Sequence, residues 1–345
     1  MSDLDTSSLF KYDSSRMIDQ VESFSTDCID AWQQAENLIL PSYYVKAKNI
    51  LLLGMGGSGV SNDFIADLLY GTDLCINSIH GYDIPGLVDE NTLVIANSYS
   101  GNTEEVLAGF ISAYKRKAKL IAITTGGKLE SLAEKYRAPL FKYNYPSTPR
   151  MAVPFTFVSL LSIFKKLGHL EIDNSIFDLL EKVNRLTQNY RHEIPVAQNP
   201  AKALAQKLEG NIPIIYSSFS LKSLGFRAKS QFNENSKNLS FSEYYPELNH
   251  NSIQGYRYPK APVFVISVES NLDDSQSQKR ANLTEEVLRK SNIPCERINF
   301  SSVTNPVVEI LSFIQFFNYV SIYLAVINMQ DPTSMPDITT FKSKL

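Results

Sequence analysis

The chain has 345 residues, of which 43% are hydrophobic and 20% charged; this is too long for one ordinary core and suits two soluble domains of about 150 residues each. A formal net charge of -3 leaves no basic field for nucleic acid, so an anionic ligand needs a local site instead. Three cysteines, Cys28, Cys75 and Cys295, form no C-x-x-C pair, which argues against a disulfide framework or zinc ribbon and for a reducing, cytoplasmic setting. The opening MSDLDTSSLFKYD is acidic and has no apolar leader core.

Met17 to Leu40 reads as helix and stops before Pro41. Asn49 to Leu53 is a short apolar run of buried-strand type, followed at once by GMGGSG; Ser58 to Leu69 then puts Val60, Phe64, Ile65 and Leu68 on one helical face. Leu74 to Ile79 and Leu93 to Ala96 are strand candidates, and Asn102 to Arg116 is a helix with Glu104 and Glu105 in its first turn, which suits the helix dipole. Lys119 to Thr124 is another buried strand, ended by Gly126-Gly127. A helical stretch from Pro154 to Arg191 joins the two halves. Beyond it, Ile212 to Tyr216, Val263 to Val268 and Glu296 to Phe300 read as strands, alternating with helices at Lys222 to Lys237, Gln276 to Ser291 and Pro306 to Asn328; SSVTN and DPTSMPD read as loops. Strand–helix alternation predicts an α/β protein of two doubly wound domains, each a mainly parallel sheet flanked by helices. The expected division is a helical segment at 1–40, a first domain at 41–150, a helical connector at 151–195 and a second domain with a C-terminal tail helix at 196–345.

Residues 310–330 carry no charge and are long enough to span a membrane. Ser312, Gln315, Asn318 and Ser321 recur every three residues as one polar stripe, which favours a buried or interface helix and no membrane; the apolar helix from Pro306 to Asn328 is also one ground for expecting a homodimer.

Gly54-Met55-Gly56-Gly57-Ser58-Gly59 lies between a strand and a helix. Its glycines let the backbone approach an anion, and the helix start offers free N–H groups. The pattern also fits a dinucleotide fingerprint. A second loop, Ser98-Tyr99-Ser100-Gly101-Asn102-Thr103, again at a strand end entering a helix, adds three hydroxyls. Together the loops suit one phosphate monoester. A dinucleotide would want an acid closing the second strand, which ends at His80 instead. Either loop alone reads equally well as turn chemistry and N-capping.

GMGGSG followed by SYSGNTEE resembles the signature of SIS (sugar isomerase) domains, in which the counterparts of Gly56, Gly57, Ser58, Ser98, Ser100 and Thr103 hold a sugar phosphate. Later motifs sharpen the likeness. Phe232-Asn233-Glu234-Asn235-Ser236-Lys237, Pro246-Glu247-Leu248-Asn249-His250-Asn251, the tail from Asp331-Pro332-Thr333 to Phe341-Lys342, and Lys11-Tyr12-Asp13 resemble stretches of the bifunctional phosphoglucose/phosphomannose isomerases, in order and over nearly the whole chain. The run after Arg150, Met151-Ala152-Val153-Pro154, departs from the family's glycine-containing pattern, and so does Thr333-Ser334-Met335-Pro336.

The resemblance implies an aldose–ketose isomerase that interconverts glucose 6-phosphate, and mannose 6-phosphate, with fructose 6-phosphate. Glu234 would be the C1–C2 proton-transfer base. His250 would assist ring opening, reaching the site from the neighbouring subunit of a homodimer. Lys342 would lie near the ring oxygen, and Arg150 would stabilise the enediolate. The chemistry fits the residue types: a carboxylate can take and return one proton, histidine is poised near neutral pH, and cations stabilise developing negative charge. No metal or other cofactor is expected, because His80, His169, His192 and His250 show no metal-ligand spacing. Read singly, Glu234 is a surface helix acid, His250 a polar loop residue, Lys342 a solvated tail charge and Arg150 a helix-start charge. The competing class is a sensory SIS protein that binds a phosphosugar without turnover. The residues before the first strand are few and acidic and hold no basic recognition helix of the kind such sensors join.

Overall fold

The computed structural model describes residues 4, 6–172, 175–300, 302–342 and 344. The chain forms two compact units, one of residues 24–181 and one of residues 1–23 with 182–345.

The first two helices, α1 (Thr6–Tyr12) and α2 (Met17–Glu22), belong to the discontinuous unit. The buried Asp13 carboxylate accepts the Met17 N–H at 2.8 Å and the Ile18 N–H at 2.9 Å, satisfying two free donors at the start of α2. Burial pushes its pKa up against these bonds. The single helix expected over 17–40 is broken at Ser23, and α3 (Phe24–Glu36) follows. The break has a packing cause. Met17, Ile18 and Val21 are buried in one unit, whereas Phe24, Cys28, Ala31, Trp32 and Ala35 are buried in the other.

Unit 24–181 continues through β1 (Asn49–Leu53), α4 (Gly56–Leu68), β2 (Cys75–Ile79), β3 (Leu93–Asn97), α5 (Glu104–Lys115), β4 (Lys119–Thr124), α6 (Gly127–Tyr136), β5 (Leu140–Lys142) and α7 (Val153–Lys166). Its sheet is parallel throughout, in the order β2-β1-β3-β4-β5. The central strands NILLL, LVIAN and KLIAIT are near-continuous apolar runs because helices cover both faces. On one face Leu51, Leu53, Val94, Ala96 and Leu120 pack with Val106, Phe110, Leu129 and Ala133. Elsewhere in the unit Phe64 of α4 meets Phe157 of α7 edge-on at 5.4 Å. The predicted strands are present; α6 and the three-residue β5 are additions.

The chain passes from one unit to the other within α8 (Ile176–Thr187). The stretch expected as one connector therefore divides: α7 is a buried core helix of unit 24–181, and residues from Lys182 onward join the other unit. That unit adds α9 (Pro200–Leu208), β6 (Ile212–Ser217), α10 (Lys222–Glu234), β7 (Phe241–Tyr244), β8 (Val263–Glu269), α11 (Ser275–Lys290), β9 (Cys295–Asn299), α12 (Pro306–Ile327) and α13 (Pro336–Lys342). Its parallel sheet runs β7-β6-β8-β9, the same winding as the first four strands of the other sheet. Of the expected loop at 301–305, Ser301 lies outside the described residues and the rest is irregular.

The uncharged C-terminal segment is α12. It is long and apolar enough to cross a membrane, but it is buried from Val307 to Ile327, packed against α1, α2, α9 and α10. Its polar stripe has internal partners. Gln315 Nε2 donates to the Val21 carbonyl at 2.8 Å, Asn318 Oδ1 accepts from Gln231, and Ser321 Oγ accepts from Asn235 Nδ2 at 3.0 Å. A helix covered by its own unit is not a free dimer face, so the expected homodimer loses that ground.

Candidate active site

In a sheet of order 2-1-3-4-5 the connections leave β1 and β3 toward opposite faces, which opens a crevice at their carboxyl ends. Both glycine–hydroxyl loops of unit 24–181 sit there. The glycine-rich loop is partly helix: α4 already begins at Gly56, where φ is +53°. A Cβ on Gly57 would lie 2.5 Å from the Pro149 carbonyl oxygen, and one on Gly59 would lie 2.6 Å from the His80 ring. Close approach is therefore what these glycines supply.

The two loops are bonded to each other. Tyr99 N–H donates to Ser58 Oγ at 3.2 Å, and the buried Asn97 Nδ2 donates to the Ser58 carbonyl at 3.1 Å and to Asn62 Oδ1 at 3.2 Å. Ser98 Oγ and Thr103 Oγ1 are 2.8 Å apart, and Ser100 Oγ accepts the Asn102 N–H at 3.2 Å. Gly101 has φ +64°, and a Cβ there would fall 1.8 Å from the Gly126 oxygen, so the turn after Ser100 admits glycine alone. Four hydroxyls foreseen from sequence thus lie on two loops stitched into one rim, at the amino ends of α4 and α5. His80, at the end of β2, bonds Asp63 at 2.9 Å, and that carboxylate raises its pKa.

Arg150 is 2% exposed, not the surface charge it would be at an ordinary helix start. It lies in a turn just before α7, in which the Thr148 carbonyl accepts Met151 N–H at 2.9 Å and Ala152 N–H at 3.2 Å.

In the other unit, Glu234 is the last residue of α10 and is half-buried. Its neighbours fix that helix end: Phe232 meets Phe317 edge-on at 6.1 Å, Asn235 bonds Ser321 of α12, and Ser236 Oγ donates to the Ser321 carbonyl at 2.7 Å. His250 is exposed on a short turn whose Leu248 is buried in the core with Tyr216, Tyr245 and Val265. Asn249, beside it, donates to Thr284 at 2.8 Å. The backbone around His250 is anchored while its ring faces outward. Lys342 is exposed at the end of α13.

Two features escaped the sequence. His192 Nδ1 lies 2.7 Å from Glu22 Oε1, which also accepts the His192 N–H at 3.2 Å, and Glu193 is 3.4 Å away. Glu22 and His192 are far apart in the chain, and no local pattern announces them. Tyr99, read only as a loop residue, bonds the segment before Arg150.

Two parallel sheets flanked by helices, one with hydroxyl loops at its switch point, define a doubly wound α/β class with helix amino ends suited to an anion. The SIS domain model matches residues 43–140, and the bacterial phospho-glucose isomerase C-terminal SIS domain model matches residues 197–345. The bifunctional phosphoglucose/phosphomannose isomerase of Caldicellulosiruptor bescii is 33% identical, over 95% of this chain and 98% of its own. The protein of the same name from Thermoplasma acidophilum is 32% identical, over 86% and 89%. A D-glucosamine-6-phosphate 4-epimerase from Sulfolobus acidocaldarius is 30% identical, over 68% of this chain and 73% of its own. The chain belongs to the bifunctional phosphoglucose/phosphomannose isomerase family.

Proposed function

We propose that this chain is an aldose–ketose isomerase interconverting glucose 6-phosphate, and mannose 6-phosphate, with fructose 6-phosphate. The observation that carries the reading is the pair of hydroxyl loops bonded together at one switch point, in a chain of this family. The hydroxyls of Ser58, Ser98, Ser100 and Thr103, with backbone N–H groups at Gly56 and Gly57, hold the phosphate at two helix amino ends. Ser58 Oγ already accepts one bond, so its proton is free to be aimed at an anion.

His250 protonates the ring oxygen side as the sugar opens, with Lys342 adding positive charge. Glu234 takes the C2 proton of the aldose and returns it to C1 while the O2 hydroxyl proton passes to O1, leaving a ketose. The enediolate between these steps carries negative charge, which the Arg150 guanidinium offsets. No step requires a metal. His250 comes from a second copy of the chain, which makes a homodimer the working form. The reaction belongs to soluble sugar metabolism in the cytoplasm.

The test is a coupled assay on metal-stripped protein with glucose 6-phosphate, mannose 6-phosphate, arabinose 5-phosphate and, because one relative is a 4-epimerase, glucosamine 6-phosphate. Conversion of fructose 6-phosphate to both aldoses is expected. Binding of these sugars with no interconversion would replace the enzyme with a sensor, and turnover of glucosamine 6-phosphate alone would replace it with an epimerase.

A further inference from the structure

Between β5 and α7 runs an irregular strap, residues 143–152, that ends in the turn carrying Arg150. From outside it, the Asp27 carboxylate accepts the Tyr145 hydroxyl at 2.9 Å, and the Tyr99 side chain bonds its backbone. The Tyr99 hydroxyl is 2.8 Å from the Tyr145 carbonyl oxygen, 2.6 Å from the Ser147 carbonyl oxygen and 3.1 Å from the Ser147 nitrogen. A phenol donates one proton and accepts through its lone pairs. The hydroxyl can therefore donate to either carbonyl while accepting the Ser147 N–H, and it serves backbone groups that no strand ladder reaches.

The backbone of Tyr99 is committed to the loops. Its N–H donates to Ser58 Oγ at 3.2 Å, and its carbonyl accepts Thr125 N–H at 3.2 Å and Thr125 Oγ1–H at 2.7 Å. The strap also touches the glycine loop directly, since the space of a Gly57 Cβ is taken by the Pro149 oxygen. A plainer account is available, because the ring packs edge-on against Tyr143 at 6.3 Å and could be filling space. Filling space needs no hydroxyl, so the two accounts separate on a single atom.

We propose that Tyr99 is a positioning residue that locks the Arg150 strap to the phosphate loops, so that holding the phosphate and placing the guanidinium are one mechanical event. This rests on the roles given above to Ser58 and Arg150. Phosphosugars then gain from their phosphate in turnover as well as in binding.

The experiment is a double-mutant cycle on the full chain, using Tyr99→Phe, Arg150→Ala and the pair, with fructose 6-phosphate as substrate and thermal melting in parallel. Tyr99→Phe is expected to lower kcat about tenfold with KM changed less than about twofold, the loss of a hydroxyl that bonds several backbone groups. On the Arg150→Ala background the same substitution should cost less than about twofold more, because it acts through the missing guanidinium. A wild-type kcat in Tyr99→Phe, or an undiminished tenfold loss in the double variant, overturns the proposal. Wild-type turnover in Arg150→Ala would instead sink the role of Arg150, and the proposal with it. Should Tyr99→Phe fail to fold, Thr125→Val removes the hydroxyl bond to the Tyr99 carbonyl and is expected to show the same dependence on Arg150.

Discussion

A serine hydroxyl has one proton to give, and in the rim at β1 and β3 the neighbours decide where it points. The Ser58 oxygen is occupied by the Tyr99 N–H, and Ser98 and Thr103 share a bond with each other. If Ser58 donates to a phosphate, Ser58→Ala removes a bond to a charged group, worth about 1.5–3 kcal/mol, and should raise KM roughly 10- to 100-fold. The kcat should fall less. Steady-state kinetics with fructose 6-phosphate checks this, and an unchanged KM would move the phosphate elsewhere. The two loops were legible in the sequence because their pattern is local: strand, glycines, hydroxyl and helix start follow one another within about ten residues. Tyr99 with Ser147, and Glu22 with His192, join residues that meet only after folding, so no periodicity or motif exposes them.

Helix α12 shows what a pattern can and cannot say about an element. Its lack of charge and its polar stripe were plain in the sequence, but a membrane span, an interface and a core helix share that signature. The partners decide it: Gln231 and Asn235, on and just past α10, take the stripe into the interior. Asn318→Leu would orphan the Gln231 amide and should destabilise the unit by about 1–3 kcal/mol in urea unfolding. Because Glu234 sits one turn past Gln231, kcat should also fall. Of the elements missed, β5 and β7 were too short to show a period, α6 began at glycines that read as terminators, and α9 is a nine-residue helix opening at Pro200 inside a stretch that gave no expected element.

The first turn of α12 also holds Glu309, 1% exposed, with Ser270 Oγ–H donating to Oε2 at 2.7 Å. Burial, offset in part by that bond, pushes its pKa from 4.5 to about 7, and nearby Asp273 adds to the rise. Below about pH 4.5 the proton is held whether the chain is folded or not. Between there and about 7 the folded state keeps it and the unfolded state has lost it, so rising pH erodes stability across this window. At about 1.4 kcal/mol per unit, the full erosion is on the order of 3 kcal/mol. Glu309→Gln should flatten the decline between pH 5 and pH 7 seen by denaturant titration; an equal slope in both proteins would show that Glu309 does not carry it.

At the scale of the whole molecule, the two-domain winding followed from strand–helix alternation, but the discontinuous unit did not. Nothing in the composition of residues 1–23 says that they fold with the distant half. Assembly is where the sequence reading relied on the wrong feature, since α12 is spent on its own core. The proposed homodimer now rests on the role proposed for the exposed His250. If Glu234 and His250 of one active centre come from different copies, mixing Glu234→Gln with His250→Ala protein should restore activity, to about a quarter of wild type on random exchange of subunits. Failure to complement, with sedimentation showing only a 38.8 kDa particle, would make the chain self-sufficient. The most direct measurement of all is proton transfer itself. Fructose 6-phosphate followed by NMR in heavy water should yield glucose 6-phosphate and mannose 6-phosphate with deuterium entering at C2, and Glu234→Gln should slow this by about 10²–10⁴-fold. Turnover at the wild-type rate in Glu234→Gln, or no aldose formed by the wild-type chain, would contradict the account.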